Sequence, residues 1–122
     1  MAKSSGRAFT RVTIPVQAVI TQNGSELHGT VTDISMNGAS IRCDWQPLQQ
    51  DCECGVTFTL GEEETINIIA SGRVVRGHDD VIAIAFESVN IESIPYLRNL
   101  ILYNAEETDQ VQSEFVDHMG IR

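Results

Sequence analysis

The chain has 122 residues, a length that suits one domain with a single buried core. Its hydrophobic content of 42% and charged content of 20% are ordinary for a globular protein. No apolar run approaches the roughly eighteen residues that a membrane-spanning helix needs. The net charge of −9 argues against a general DNA- or RNA-binding protein, because non-specific affinity for nucleic acid comes from cationic contacts to many phosphates.

The charges are unevenly distributed along the chain. Three basic residues, Lys3, Arg7 and Arg11, precede the first acid, Glu26, whereas the other five basic residues share the rest of the chain with all seventeen acids. A short basic arm on an acidic body suits a compact anionic ligand better than a polyanion. On charge alone, a solvated terminal tail is the plainer interpretation of this arm.

The three cysteines, Cys43, Cys52 and Cys54, form an odd set that does not indicate a disulfide framework. A zinc site is an alternative, but Cys-x-Cys is not the usual C-x₂₋₄-C spacing of zinc ligands. Cys43 alternates with Ile41 and is interpreted as a small core residue. Residues 1–6 lack the hydrophobic region of a signal peptide. We therefore expect a cytoplasmic protein without a metal or another cofactor.

The first part of the chain predicts three strands. Apolar residues alternate with polar ones over residues 12–21, as in a half-buried strand. Asn23-Gly24 then supplies the positive φ angles of a tight hairpin turn, and a second strand follows over residues 26–34. The third strand starts directly after Gly38, where apolar and polar side chains alternate again.

Three further strands are predicted after a loop. The fourth covers residues 56–60. The fifth has four apolar residues on one face, which are Ile66, Ile68, Ala70 and Val74. We expect Gly72 to bend or bulge this strand. A second hairpin signal at residues 77–80 leads to a sixth strand over residues 81–86, which is apolar on both faces.

Helical spacing replaces strand spacing after the sixth strand. A helix is predicted over residues 93–103, with Ser93 as its N-cap. Its core-facing residues are Ile94, Leu97 and Ile101. Val111, Phe115 and Met119 predict a second, shorter helix that ends at Gly120. Packing of this helix on the domain's own body is favoured over a stripe that faces a partner.

Six strands with frequent turns and a terminal helix predict a mainly β fold, either a small antiparallel barrel or a sandwich. We divide the chain into three parts. A flexible basic arm comprises residues 1–11, the strands and the main helix comprise residues 12–103, and a helical extension comprises residues 104–122.

Two short stretches carry the distinctive chemistry, and the first is residues 7–11, Arg-Ala-Phe-Thr-Arg. The planar guanidinium groups of Arg7 and Arg11 can each grip a phosphate or the O6/N7 edge of guanine with two parallel bonds. In an extended strand they would lie about 13 Å apart, so they converge on one ligand only if the segment is irregular. Alone, this pattern is weak, since any basic tail can contain it.

The second stretch is residues 33–38, Asp-Ile-Ser-Met-Asn-Gly, between two predicted strands. Asp33 and Ser35 are two residues apart and point to the same side of a strand. A carboxylate accepts from the N1–H and N2–H₂ donors of guanine, a pair that adenine lacks. Gly38 permits a left-handed or closely approaching backbone. The alternative is a plain turn in which Asp33 and Ser35 bond their own backbone.

Together, the two stretches and the order of strands resemble the PilZ domain family. Residues 38–41 after the turn, residues 72–76 in the fifth strand, residues 83–86 in the sixth and the helix at 97–102 are also similar to that family. The resemblance covers residues 7–102. It implies a six-stranded antiparallel β-barrel with a C-terminal α-helix and a receptor for cyclic di-GMP (c-di-GMP).

The resemblance also implies roles for individual residues. Arg7 and Arg11 would grip phosphates and guanine edges, while Asp33, Ser35 and the backbone around Gly38 would hold a guanine. Three further candidates for the ligand site are Asn37, Arg73 and Arg76. The residue before the first arginine influences whether the family binds one ligand or an intercalated pair, and here it is Gly6, which leaves the number open.

The sequence therefore predicts a bacterial c-di-GMP receptor, as a monomer or weak dimer. Its arm would order on ligand binding and relay the signal to an unidentified partner protein in motility, chemotaxis or exopolysaccharide production. The alternative is a PilZ-like interaction module with weak or no nucleotide binding. We do not expect an enzyme, because His28, Asp33 and Ser35 lie within one strand and its turn, where a nucleophile, base and orienting group rarely assemble.

Overall fold

A computed structural model of the chain describes residues 9–14, 16–44, 48–61, 65–105 and 112–116. Its elements are six strands, β1 (Gln17–Gln22), β2 (Ser25–Ser35), β3 (Gly38–Arg42), β4 (Glu53–Leu60), β5 (Ile66–His78) and β6 (Val81–Val89), followed by a 3₁₀ turn (Ile91–Ser93) and helix α1 (Ile94–Asn104). Residues 112–116 form a further helical segment.

The six strands form a closed antiparallel barrel in the order β1-β2-β3-β6-β5-β4, with β4 pairing back onto β1. Closure leaves no free sheet edge, and it lets alternate side chains of each strand fill the interior. The barrel with a C-terminal helix, which the resemblance implies, is confirmed, and the sandwich is excluded.

Both predicted hairpin turns are present. Asn23 and Gly24 have φ angles of 52° and 85°, which match the positive values that a type I′ turn requires between twisted strands. Asp79 has a φ of 58° in the turn between β5 and β6. These turns explain why β1 pairs with β2 and β5 with β6 along most of their lengths.

The predicted start of the first strand at residue 12 is wrong. Regular β1 begins at Gln17, whereas Val12 makes a single bridge, in which its N–H and carbonyl bond the carbonyl and N–H of Ile34 at 2.9 Å each. The β2–β3 register also shifts between Val31 and Asp33, which places a bulge in β2 shortly before Ile34.

The fifth strand also departs from the simple alternation. Ile68, Ala70 and Val74 are buried as predicted, but Ile66, at the first position of β5, is 36% exposed, because the strand begins beyond the edge of the core. The register with β6 shifts between Ser71 and Gly72, but the residue skipped there is Glu87 of β6, so the predicted bulge of β5 at Gly72 is wrong. The bulge in β5 itself lies at Val75, which is skipped between Val74 and Arg76.

The helix closes one side of the core. Leu97 and Ile101 are buried and Ile94 is half-buried, as the helical spacing predicted. Ser93 stands at the N-cap position but makes no capping bond, because its Oγ instead accepts the N–H of Ile69 at 3.0 Å. This hydrogen bond ties the start of the helix to β5.

The helical segment 112–116 packs on the body of the protein. Phe115 has no exposed surface and belongs to the same core cluster as the barrel residues, which confirms packing on the domain itself for this side chain. The other residues predicted to mark this helix, Val111, Met119 and Gly120, lie outside the described residues. Among the described helices, none has the length and apolar character that crossing a membrane requires.

Candidate ligand-binding site

Arg11 and Asp33 form the centre of the candidate site. Arg11 directly precedes the Val12–Ile34 bridge, and this places its guanidinium beside the end of β2. Nε donates to Asp33 Oδ1 at 2.8 Å, Nη2 donates to the same oxygen, and Nη2 lies 3.4 Å from Ser40 Oγ. The side chains of Arg11 and Asp33 are 26% and 31% exposed, so the pair is accessible from solvent.

The geometry of the pair leaves bonding capacity on both partners. Both contacts from Arg11 end on Oδ1 of Asp33, and Oδ2 has no hydrogen-bond partner among the described residues. A carboxylate oxygen accepts more than one hydrogen bond, and a guanidinium has five N–H donors. The pair therefore presents donors directly beside a vacant acceptor.

Ser35 belongs to the turn rather than to the exposed surface. Its side chain is fully buried, and its Oγ donates to Asn37 Oδ1 at 2.7 Å, accepts the N–H of Asn37 at 3.3 Å and lies 3.4 Å from the carbonyl oxygen of Gly38. These contacts form the local turn motif that the sequence left as the alternative. In this structure the hydroxyl shapes the β2–β3 turn.

Gly38 is required for close strand packing. It does not have a positive φ, so of the two uses of glycine that the sequence left open, the left-handed one is wrong. A Cβ at this position would lie 2.7 Å from the carbonyl oxygen of Ile84 in β6. Asn37 is exposed, and its carbonyl accepts the N–H of Phe86 at 2.9 Å, which fastens the turn to β6.

The two further arginine candidates, Arg73 and Arg76, differ in their contacts. Arg73 donates from Nη1 to the carbonyl of Asp51 at 2.5 Å and from Nε to Glu87 Oε2 at 3.3 Å. Arg76 is exposed and has no hydrogen bond or ion pair within the part of the chain that the structure describes. Arg73 is therefore held by its neighbours, whereas Arg76 is available.

The arm is also held from the other side, by the C-terminal segment. Thr10 donates from its N–H to Glu114 Oε1 and from its Oγ1 to Glu114 Oε2, both at 2.9 Å. Phe9 is half-buried against the core. Residues 9–11 thus contact the body of the protein. Arg7 and Gly6 lie outside the described residues, and the flexibility of the arm stays a prediction.

The cysteines belong to the structural part of the molecule. Cys43 and Cys54 are buried, and burial raises the pKa of both thiols, that of Cys54 to about 11 with a smaller contribution from Glu87. The prediction that Cys43 is a core residue is confirmed. No group of three or more potential metal ligands occurs among the residues described.

The three residues considered for catalysis, His28, Asp33 and Ser35, do not form a catalytic arrangement. His28 is exposed and its Nε2 lies 3.6 Å from Glu26 Oε1, while Ser35 bonds Asn37 and Gly38. No hydrogen bond connects His28 with Ser35 or Asp33 in the described ranges. A nucleophile with an oriented base is therefore not assembled from these three residues.

Sequence reasoning missed two contributors to the site, Ser40 and Glu114. Ser40 pairs with Asp33 across the β2–β3 hairpin. The sequence could have predicted this pair, because Ser35 pairs with Gly38 at the turn and each step away from the turn gives the next pair. Glu114 had no comparable signal, because it lies 104 residues from Thr10 in the chain.

The fold and the site together define a small β-barrel domain whose arginine-bearing N-terminal segment docks at the β2–β3 turn. Residues 5–103 match the PilZ domain family. The chain belongs to this family, as the pattern of arginines, acid, serine and glycine suggested.

Solved structures share the fold at low sequence identity. The inhibitor of motility MotI/DgrA of Bacillus subtilis has a TM-score of 0.70 and 18% identity over 84% of this chain and 53% of its own. The PilZ domain of Escherichia coli YcgR, solved with c-di-GMP, has a TM-score of 0.61 and 14% identity over 93% of this chain and 99% of its own.

A third similar structure is Borreliella burgdorferi PlzA in complex with c-di-GMP, with a TM-score of 0.57 and 17% identity over 78% of this chain and 40% of its own. The chain thus spans about half the length of MotI/DgrA and less of PlzA. At these identities the likeness establishes the fold. A search of curated proteins finds no match.

Proposed function

We propose that this chain is a c-di-GMP receptor that acts through a partner protein rather than by catalysis. Membership of the PilZ family supports the ligand class, since two structurally similar proteins were solved with c-di-GMP. The observation that carries the proposal is the partly exposed Arg11–Asp33 pair beside Ser40. The ligand-site roles of Arg7, Ser35 and Gly38 are part of the proposal, with the last two shaping the turn.

The pair can distinguish guanine from adenine. Guanine carries the O6 acceptor next to the N1–H donor, so an Arg11 donor can meet O6 while Oδ2 of Asp33 accepts from N1–H or N2–H₂. Adenine has the opposite arrangement, with a donor at N6 and an acceptor at N1. An adenine in the same place would leave Asp33 Oδ2 facing a lone pair, which is unfavourable.

The proposed mechanism is an ordering of the N-terminal arm around the ligand. Residues 9–11 are already held by Asp33 and Glu114, so they provide a fixed point from which Arg7 can close over the ligand's phosphates. Charge-assisted hydrogen bonds contribute roughly 1.5–3 kcal/mol each, and a few of them offset the cost of ordering the arm. Neutralising the arm would change the surface that a partner recognises.

NMR spectroscopy tests this ordering. We expect the amide signals of residues 1–8 to shift and their line widths to change when c-di-GMP is added. Unchanged line widths in the arm, together with measurable binding, would contradict the mechanism while leaving the receptor function in place.

Calorimetric titration tests the receptor function itself. Wild-type protein should bind c-di-GMP, and Arg11→Ala should weaken binding by about ten- to a hundredfold, because it removes the donors beside Asp33. Cyclic di-AMP is the matched ligand, and we expect much weaker binding. Thermal unfolding of Arg11→Ala controls for folding. Absence of heat with the wild type would reject the receptor function.

A second candidate, an interaction module without nucleotide binding, is favoured by exposed apolar residues near the helix. Ile91 and Tyr103 are 77% and 80% exposed, and Tyr96 is 45% exposed. A pulldown with and without c-di-GMP separates the candidates. Capture of a partner only with c-di-GMP supports the receptor, and capture that ignores it supports the module. Cytoplasmic location and a monomer or weak dimer remain predictions for either candidate.

A further inference from the structure

The outer surface of the barrel continues the candidate site across three more strands. Asp33 of β2 pairs with Ser40 of β3, Ser40 pairs with Ala83 of β6, and Ala83 pairs with Arg76 of β5. Residues that are paired across neighbouring strands lie on the same face of a sheet. These four side chains therefore form a transverse row, which we call the Asp33–Arg76 row.

A surface groove of about 350 Å³ lies along the far half of this row. Ser40, which is also near Arg11, lines one side of it, and Ala83 and Arg76 line the remainder together with residues of the β5–β6 hairpin. Ala83 carries only a methyl group and is half-buried, so the surface is depressed between Ser40 and Arg76. The groove thus adjoins the Arg11–Asp33 pair at Ser40.

The two arginines that line the groove, Arg42 and Arg76, differ in whether they have an acidic partner. Arg42 lies 3.2 Å from Asp80 through its Nε, and His78 lies 3.3 Å from Asp79 through its Nε2. Arg76 has no such partner in the described part of the chain. It is therefore the cation in this groove that is available to an anionic group.

We infer that Arg76 binds a phosphate of the same ligand whose guanine is held by Arg11 and Asp33, so that the ligand site extends into the groove. The inference rests on the proposed function. Three strand spacings of about 4.8 Å separate Asp33 from Arg76, so the row is roughly 14 Å long. Because an arginine side chain is long, the guanidinium of Arg76 can approach Asp33 to within the length of a dinucleotide.

The matched pair Arg76→Gln and Arg73→Gln tests the inference, because each removes one guanidinium from β5. In calorimetric titrations with c-di-GMP, Arg76→Gln should weaken binding about tenfold, whereas Arg73→Gln should bind like the wild type. Arg76→Lys should retain more affinity than Arg76→Gln, since the ammonium keeps the charge and loses only the planar fork.

Ionic strength provides a second readout. The difference between wild type and Arg76→Gln should narrow from about 0.05 M to about 0.5 M salt, because screening weakens an exposed charge–phosphate contact. Equal affinities of Arg76→Gln and the wild type would overturn the inference, as would equal losses in Arg76→Gln and Arg73→Gln.

The two proposals fail differently in these titrations. If the wild type binds and Arg11→Ala loses affinity while Arg76→Gln does not, only the role of Arg76 and the groove is rejected. If the wild type does not bind c-di-GMP, both proposals are rejected together.

Discussion

The two halves of the candidate site have opposite physical characters. The arginine half consists of Arg11 and Asp33, which are partly exposed and keep bonding capacity for another molecule. The turn half consists of Ser35 and Gly38, which are buried, with the hydroxyl bonded locally and the glycine packed against β6. The motif residues therefore divide into side chains that can contact a ligand and residues that shape the turn beside them.

This division predicts two kinds of mutational effect. Changes in the buried turn should lower the free energy of unfolding, because they remove buried hydrogen bonds or insert atoms into packed backbone. Changes in the Arg11–Asp33 pair should lower ligand affinity with little effect on stability, because a partly exposed ion pair contributes only about 0–1 kcal/mol.

The largest effect is expected for Gly38→Ala. Its new Cβ would lie 2.7 Å from the carbonyl oxygen of Ile84, and backbone cannot rotate away, so β3 and β6 must separate. We expect a loss of about 2–3 kcal/mol in the free energy of unfolding, measured by urea titration. Gly55→Ala is the control, since its nearest atom is the rotatable Thr21 Oγ1 at 2.9 Å. Equal losses in both variants would contradict the argument.

The second-largest effect is expected for Asp33→Asn, as a loss of affinity for c-di-GMP. An amide keeps an acceptor for Arg11 but can place an NH₂ donor where guanine presents its own donors. Affinity for c-di-GMP should fall about tenfold, or about 1.4 kcal/mol, while the urea midpoint stays near that of the wild type. A large fall in stability with unchanged affinity would show that this pair is structural.

The smallest effect is expected for Ser35→Ala. Loss of the turn hydroxyl should lower the free energy of unfolding by about 1 kcal/mol, because the exposed Asn37 can replace its lost contacts with water. Folded Ser35→Ala should bind c-di-GMP within about twofold of the wild type. A tenfold loss of affinity at preserved stability would mean that the hydroxyl contacts the ligand, and the proposed division would be wrong.

Much of the barrel could be predicted because local patterns specify it. Alternating apolar residues identify the strands, and Asn23 and Asp79 mark turns whose positive φ angles the structure confirms. The errors occur where pairing ceases to be regular. Val12 makes one bridge instead of belonging to β1, and Ile66 is exposed at the start of β5, where periodicity alone cannot reveal that the core has ended.

The candidate site was predictable in its residue types and less so in their roles. The spacing of Asp33 and Ser35 placed them on one side of a strand, but only packing made one accessible and the other buried. Arg73 and Arg76 likewise read as equivalent in the sequence. The two arginines differ because Arg73 bonds Asp51 and Glu87, which come from a loop and another strand.

By itself, the amino-acid sequence determined the strands, the hairpin turns, the helix and the family, because each of these depends on residues that are close together in the chain. The tertiary structure decided which of those residues meet. Closure of β4 onto β1, the pairing of Arg11 with Asp33 and the contact of Thr10 with Glu114 all join distant segments. Barrel geometry sets such contacts, since register across several strands accumulates from pairings that no local pattern encodes.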